Sequence, residues 1–270
     1  FMEGYAAAGW APIAQPPTVT GISPLTTLTS GGVLAGWDAG TKIQASDKQA
    51  SDYFGYSVSM SSDGTKVIVG ARMEDTGGTD TGKVYIYTYS GGSWGSEVML
   101  QASDLQASDN FGNSVSMSGD GTRVLVGAYR EDTGGTDAGS AYIFALSGGS
   151  WSQQQKIQAS DKQGGDYFGY SVSMSSDGTK VIVGAYLEDT GGTDTGKVYI
   201  YTYSGGSWGS EVMLQASDKT AGDNFGRSVS MSGDGTKVLV GAKDEDTGAT
   251  NAGAAYIFAL SGGSWSQEAK

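Results

Sequence analysis

The sequence predicts an all-β fold: a β-propeller built from four-stranded antiparallel blades, with four repeats visible. Three observations predict it. First, Phe54, Phe111, Phe168 and Phe225 stand 57 residues apart. Each sits in a copy of one motif: Asp52–Met60, Asp109–Met117, Asp166–Met174 and Asp223–Met231. A fixed period of this order marks a solenoid, a propeller or an array. Second, apolar and small residues alternate inside each copy, which is the two-residue period of strands, and helical spacing is absent. Third, turn residues divide every unit into four such runs.

The first run is Phe54–Met60, where Phe54, Tyr56, Val58 and Met60 alternate with Gly55, Ser57 and Ser59. Small residues on an innermost strand let neighbouring blades approach a common axis. Ser62-Asp63-Gly64 then marks a tight turn, since Asp-Gly supports positive φ. The second run is Lys66–Ala71 and the third Lys83–Tyr89. Ser90-Gly-Gly-Ser93 turns the chain into the fourth, Glu97–Ala102. A β-solenoid is the rival, but its coils are usually shorter. A row of sandwiches is disfavoured, because one unit is too small to bury a core alone.

Residues 1–29 fall outside the repeat and read as a spacer or the end of a preceding module; residues 30–270 are the propeller. All four prolines lie before the first repeat, and Gln15–Pro24 reads as an extended connector. Thr41–Ala45 matches the fourth strand of a unit and could complete the last blade. The chain begins with Phe and is expected to be part of a larger chain or assembly.

Composition narrows the function. There is no cysteine and no histidine, so thiolate chemistry and the commonest general base are both missing. The net charge of −13 argues against nucleic acid and against anionic membrane. No stretch is apolar for the roughly 18 residues of a membrane span.

The repeated Phe-Gly, followed by Val69-Gly70-Ala71, resembles the FG-GAP repeat of integrin α-subunit propellers and of many bacterial and viral surface proteins. Asp109-Asn-Phe-Gly112, Val126-Gly-Ala128 and Gly139–Phe144 form its second copy. The resemblance implies a propeller used for adhesion or display, on an extracellular, cell or virion surface. The sequence departs from the family twice. The residue after Val-Gly-Ala is Arg72, Tyr129, Tyr186 or Lys243 instead of proline. The integrin-type calcium loop between first and second strands is replaced by a turn with one carboxylate, too few oxygens for that ion.

Candidate site residues lie on one face. Alternating strand direction brings the loop before the first strand and the loop after the second to the same end of every blade. Those loops carry most of the 29 acidic residues. In the first unit they are Asp47, Asp52, Glu74, Asp75 and Asp80. The second has Asp104, Asp109, Glu131, Asp132 and Asp137; the third has Asp161, Asp166, Glu188, Asp189 and Asp194. Hard oxygen ligands without His or Cys suit Ca²⁺. The competing reading is that these side chains cap their own loops. In the fourth unit Asn251 replaces the last carboxylate. Paired carboxylates could also hydrolyse glycosides, but a pattern repeated in every unit offers no unique catalytic group, and no enzyme is expected.

Two further readings concern binding. The units differ just after Val-Gly-Ala, so Arg72, Tyr129, Tyr186 and Lys243 are candidate ligand-binding positions, with a protein or glycan on a surface as partner. Trp37, Trp94, Trp151, Trp208 and Trp265 share the 57-residue period. They allow a lectin, through stacking of sugars on aromatic faces, or plain packing at a strand edge.

Overall fold

Every repeat folds as a four-stranded antiparallel meander, in the order of the sequence. The computed structural model describes residues 40–270. The spacer assigned to residues 1–29, and Trp37, lie outside the described residues. The repeats form one unit, Gln44–Lys270. Blade one holds β1 (Ser57–Met60), β2 (Lys66–Ala71), β3 (Lys83–Ser90), β4 (Ser93–Trp94) and β5 (Val98–Leu100). Blade two holds β6 (Ser114–Met117), β7 (Arg123–Ala128), β8 (Ser140–Ser147) and β9 (Ser150–Ile157). Blade three holds β10 (Ser171–Met174), β11 (Lys180–Ala185), β12 (Lys197–Ser204), β13 (Ser207–Trp208) and β14 (Val212–Leu214). Blade four holds β15 (Phe225–Met231), β16 (Lys237–Ala242), β17 (Ala254–Ser261) and β18 (Ser264–Ala269). The innermost strands β1, β6, β10 and β15 lie side by side in that order.

The second and third strands match the sequence reading, and the other two differ from it for local reasons. In blades one to three the first strand starts at the Ser after Phe-Gly-x, not at Phe. Tyr53, Asn110 and Tyr167 have φ of 56°, 55° and 59°, and the Gly after each Phe lies near 90°. Left-handed residues on both sides of the Phe interrupt regular pairing; in blade four, where Asn224 and Gly226 have the same angles, β15 includes Phe225 only with a register shift between Phe225 and Ser228. The fourth strand is continuous in blades two and four but interrupted in blades one and three. There Gly95 and Gly209 follow the tryptophan, where Ser152 and Ser266 stand in the other blades; a strand glycine has no side chain to pack. Thr41–Ala45, which matches the fourth strand of a unit in sequence, is not in a strand.

The pleat sorts each blade into two faces, and the core lies between blades. Ile68, Val84, Ile86 and Leu100 of blade one pack on Phe111, Val115, Met117 and Tyr142 of blade two. The same arrangement joins blade two to three and three to four. Each Phe ring meets its own blade's third strand edge-on, as Phe111 does at 5.6 Å from Tyr142 and 6.0 Å from Phe144. Serines on the innermost strands bond the next blade: Ser59 Oγ accepts from Met117 N at 3.0 Å, and Ser116 Oγ from Met174 N at 3.0 Å. Beyond the inner strands, Phe111 N donates to Thr81 O at 3.0 Å, so the long loop of one blade pairs with the Phe-Gly of the next.

Candidate binding face

The two loops of each blade meet at one end of the sheet, because Ser57 pairs with Gly70 in the register of β1 and β2. There Asp47 and Glu74 face the same ammonium. Lys83 Nζ lies 2.7 Å from Asp47 and 2.9 Å from Glu74. Tyr85 completes the cluster by donating to Asp47 at 2.8 Å. Blade three repeats it: Lys197 is 2.6 Å from Asp161 and 2.9 Å from Glu188.

Blades two and four make the same cluster with a lysine from another strand. Ser140 and Ala254 replace Lys83 at that register position, and Lys156 and Lys270 replace Met99. Lys156 then lies 2.6 Å from Asp104 and 2.9 Å from Glu131. Lys270 lies 2.5 Å from Asp218 and 2.7 Å from Glu245. Ser140 bonds Glu131 instead, at 2.6 Å. The third and fourth strands alternate in supplying the charge because both reach the same buried carboxylate. An unpaired one there would be costly.

The remaining carboxylates serve their own loops. Asp52, Asp109 and Asp166 accept from the backbone N of Gln49, Gln106 and Gln163 at 2.5, 2.8 and 2.6 Å. Asp75, Asp132 and Asp189 accept from the backbone N of Asp80, Asp137 and Asp194, each at 2.8 Å. Those three donors have φ of 53–56°, and Asn251 has 53°. Asp and Asn both tolerate that conformation, which explains the exchange in blade four. Among the described residues, no group of three or more acidic side chains is gathered around a point where an ion could sit.

Asp47, Asp104 and Asp161 shift in one direction, and Asp109 and Asp166 in the other. Burial would raise Asp47, Asp104 and Asp161, but their lysine and tyrosine partners hold them below the usual range. Asp109 and Asp166 have no ammonium partner, and burial pushes both up to about 6. The folded chain therefore binds protons that the unfolded chain, with carboxyls near about 4, does not. This contribution to stability is fully present below about 4 and is lost as pH rises through about 6. Thermal unfolding of an Asp109→Asn, Asp166→Asn double variant checks it. Melting temperature should depend less on pH between about 4 and 6 than in the parent.

The positions that vary between blades assemble into one strip. The Arg72 guanidinium stands 4.2 Å from the Tyr56 ring centroid and donates to Tyr129 OH at 3.5 Å. The Tyr129 ring lies 5.1 Å from Tyr167 and 5.4 Å from Tyr170. Tyr186 lies 4.5 Å from Tyr170. The Arg227 guanidinium covers Tyr186 at 4.7 Å and Tyr170 at 5.0 Å. Lys243 pairs with its neighbour Asp244 at 2.7 Å. Sequence reasoning singled out Arg72, Tyr129 and Tyr186 but missed their neighbours. The signal was present: the series Tyr56, Asn113, Tyr170, Arg227 varies between blades just as the series after Val-Gly-Ala does.

The four described tryptophans, Trp94, Trp151, Trp208 and Trp265, are half-buried edge residues. Trp94 and Trp208 lie tilted against Tyr89 and Tyr203, with ring centroids 5.3 Å apart. Trp151, Trp208 and Trp265 rest on the three core clusters.

Comparison with known proteins agrees with this architecture. The family model described as the FG-GAP repeat matches residues 37–87, 94–144, 151–201 and 208–258. A search of curated proteins found no match. Among solved structures, the chain is similar to a periplasmic gluconolactonase of Pseudomonas aeruginosa, with TM-score 0.50 and 17% identity. The match covers 78% of this chain and 55% of that one. It is also similar to a protein of Bacteroides uniformis assigned as a 6-phosphogluconolactonase, with TM-score 0.51 and 14% identity, covering 79% and 55%. The chain thus spans about half the length of these structures, and at such identity the likeness concerns the fold alone.

Proposed function

The chain belongs to the FG-GAP repeat family, and from that premise we propose that it is a non-enzymatic adhesion or display module of an extracellular, cell or virion surface. One observation supports the reading: the Tyr–Arg strip. Residues that differ between otherwise near-identical blades lie together on the loop face. Tyr and Arg are the side chains that dominate binding energy at interfaces. The rigid blades beneath them hold the rings in place without further ordering cost. The paired acidic residues Asp47 and Glu74, and their counterparts, are engaged with lysine in every blade, as expected of scaffold and not of a single catalytic centre. Calcium on this face would have to compete with those ammonium groups.

The second reading, a lectin, is favoured by one feature. Tyr53 and Tyr56 are half-exposed beside Arg72, and aromatic faces with a cation nearby suit sugar rings. A glycan array and binding to intact cells test both. We expect Tyr186→Ala and Arg227→Ala each to weaken binding by at least about tenfold, the scale of a hot-spot truncation. Trp94→Ala should leave it unchanged. Equal loss from Trp94→Ala, or retention in both strip variants, would move the site elsewhere.

A further inference from the structure

We propose that the Tyr–Arg strip takes an acidic sugar, one that carries a single carboxylate or sulfate on an otherwise neutral glycan. The proposal rests on the glycan reading of the strip given above and names the chemistry of its ligand.

The argument starts from how this chain uses its two kinds of cation. Every ion pair among the described residues is made by a lysine. Arg72, Arg130 and Arg227 lie over tyrosine rings instead. In a chain of net charge −13, arginines that avoid carboxylates are conspicuous. A guanidinium seated on a ring is held by its flat face, and its N–H groups point outward in the plane. That planar fork fits two oxygens of one oxyanion.

Two of these guanidiniums meet at Tyr129, in the middle of the strip. Arg72 donates to the Tyr129 hydroxyl, while its own Nε is buried and has no partner. Arg130 is exposed and stands 5.5 Å from the Tyr129 ring centroid.

Asn113 supplies a second, independent observation. It takes in blade two the place that Tyr170 takes in blade three, and it is only 6% exposed. Its Nδ2 donates to Tyr170 O at 2.9 Å. Its Oδ1 is buried and accepts no hydrogen bond. A buried polar atom without a partner is rare in a folded protein. This one calls for a donor, which an ionised carboxylate or sulfate alone does not have. A sugar carries hydroxyl groups beside its acid group. One ligand therefore answers both the guanidinium edges and the Asn113 carbonyl. Both unmatched atoms are buried, so the groups that reach them are small, and side chains of the strip must shift to admit them.

The surroundings limit the charge of the ligand. The long loops that begin at the strip carry Asp75, Asp80, Asp132, Asp137, Asp189 and Asp194. That border repels a polyanion and leaves room for one negative charge set on the arginines.

Calorimetric titration of the full chain tests the proposal, with N-acetyllactosamine, its sialylated form and its sulfated form as probes. At least one acidic form should bind about tenfold more tightly than the neutral parent, the scale of one hydrogen bond to a charged group. Arg130→Gln changes an exposed side chain, so it should fold normally and lose most of that preference. Arg72→Lys keeps the charge without the fork and should lose it too. Asn113→Asp is nearly isosteric; it adds a negative charge and should abolish the preference, with folding checked by circular dichroism. A preference kept by all three variants would overturn the site. Equal binding of neutral and acidic forms, lost in Tyr186→Ala, would overturn the acidic ligand and leave the glycan reading standing. No binding of any sugar would end both. Heparin bound more tightly than either acidic form would overturn the single charge. A sulfotyrosine peptide bound more tightly than both would overturn the sugar in favour of a protein partner.

Discussion

Gly127→Ala is expected to be among the most damaging single changes in the chain, although it adds one methyl group. The glycine is in β7, in ordinary extended backbone, so the substitution costs nothing in φ. The cost is steric. The new Cβ would lie 1.9 Å from the carbonyl oxygen of Gly169, in the next blade. That oxygen belongs to backbone fixed by its own bonds: Gly169 N donates to Gly184 O at 3.1 Å, and Phe168 N to Ala138 O at 3.0 Å. Blade three must then move away from blade two, opening a core in which Leu125, Ile143 and Phe168 are fully buried. Overpacking of this kind costs about 3 kcal/mol or more, or about 6–12 °C in melting temperature for a domain of this size. Gly70→Ala and Gly184→Ala should behave alike, at 2.1 and 2.0 Å from Gly112 O and Gly226 O. Gly241→Ala is the control. Its nearest obstacle is the rotatable Ser228 hydroxyl of its own blade. Its loss should be clearly smaller. Equal losses at Gly127 and Gly241 would mean that close blade approach is not why these glycines are present.

Lys156→Met should be the other large effect, and it should be reversible by a second substitution. The lysine removed is the partner of Glu131, whose side chain is fully buried, and of Asp104, which is partly exposed. Removing one member of a buried pair leaves the other charge without compensation, at about 3–5 kcal/mol when burial is complete. Lys156 is itself one-fifth exposed. The expected loss is therefore nearer about 2–4 kcal/mol, read as a drop in the denaturation midpoint. Blades one and three show how to restore it. They carry methionine at this position and a lysine one strand inward, where blade two has Ser140. Ser140→Lys added to Lys156→Met should recover most of the loss, because Lys83 and Lys197 bridge the same two carboxylates from that place. Ser140→Lys alone should not stabilise, since it crowds two ammonium groups at one site. A double variant no better than Lys156→Met would show that the alternation is incidental.

Much of the fold is legible in one dimension because its signals are local. Alternation in Phe54–Met60 follows from the pleat, the β-branched run Val67–Val69 marks a buried strand, and Asp63-Gly64 and Gly91-Gly92 follow from turn chemistry. The 57-residue recurrence of Phe54 says that one supersecondary unit is repeated. Even the blade-to-blade contact is implied, since no single unit can bury Ile68 and Phe111 alone.

The candidate site was legible only in part, because its partners lie on different strands or different blades. Arg72 and Tyr129 stand out by their variation, but nothing in the order of residues says that Tyr56, Tyr170 and Arg227 stack against them. The acidic loops show where carboxylates gather; only the packed blade shows that Lys83 or Lys156 reaches between them. The reason is that an ammonium arriving from either of two adjacent strands gives the same three-dimensional cluster and two different sequences. The exposure of Leu239 and Val58 is decided in the same way. Leu239 and Val58 read like their buried counterparts Leu125 and Val172, since local pattern sets which face of a strand is apolar. Whether that face is covered depends on the packing of a neighbouring blade, which the pattern within one blade does not encode.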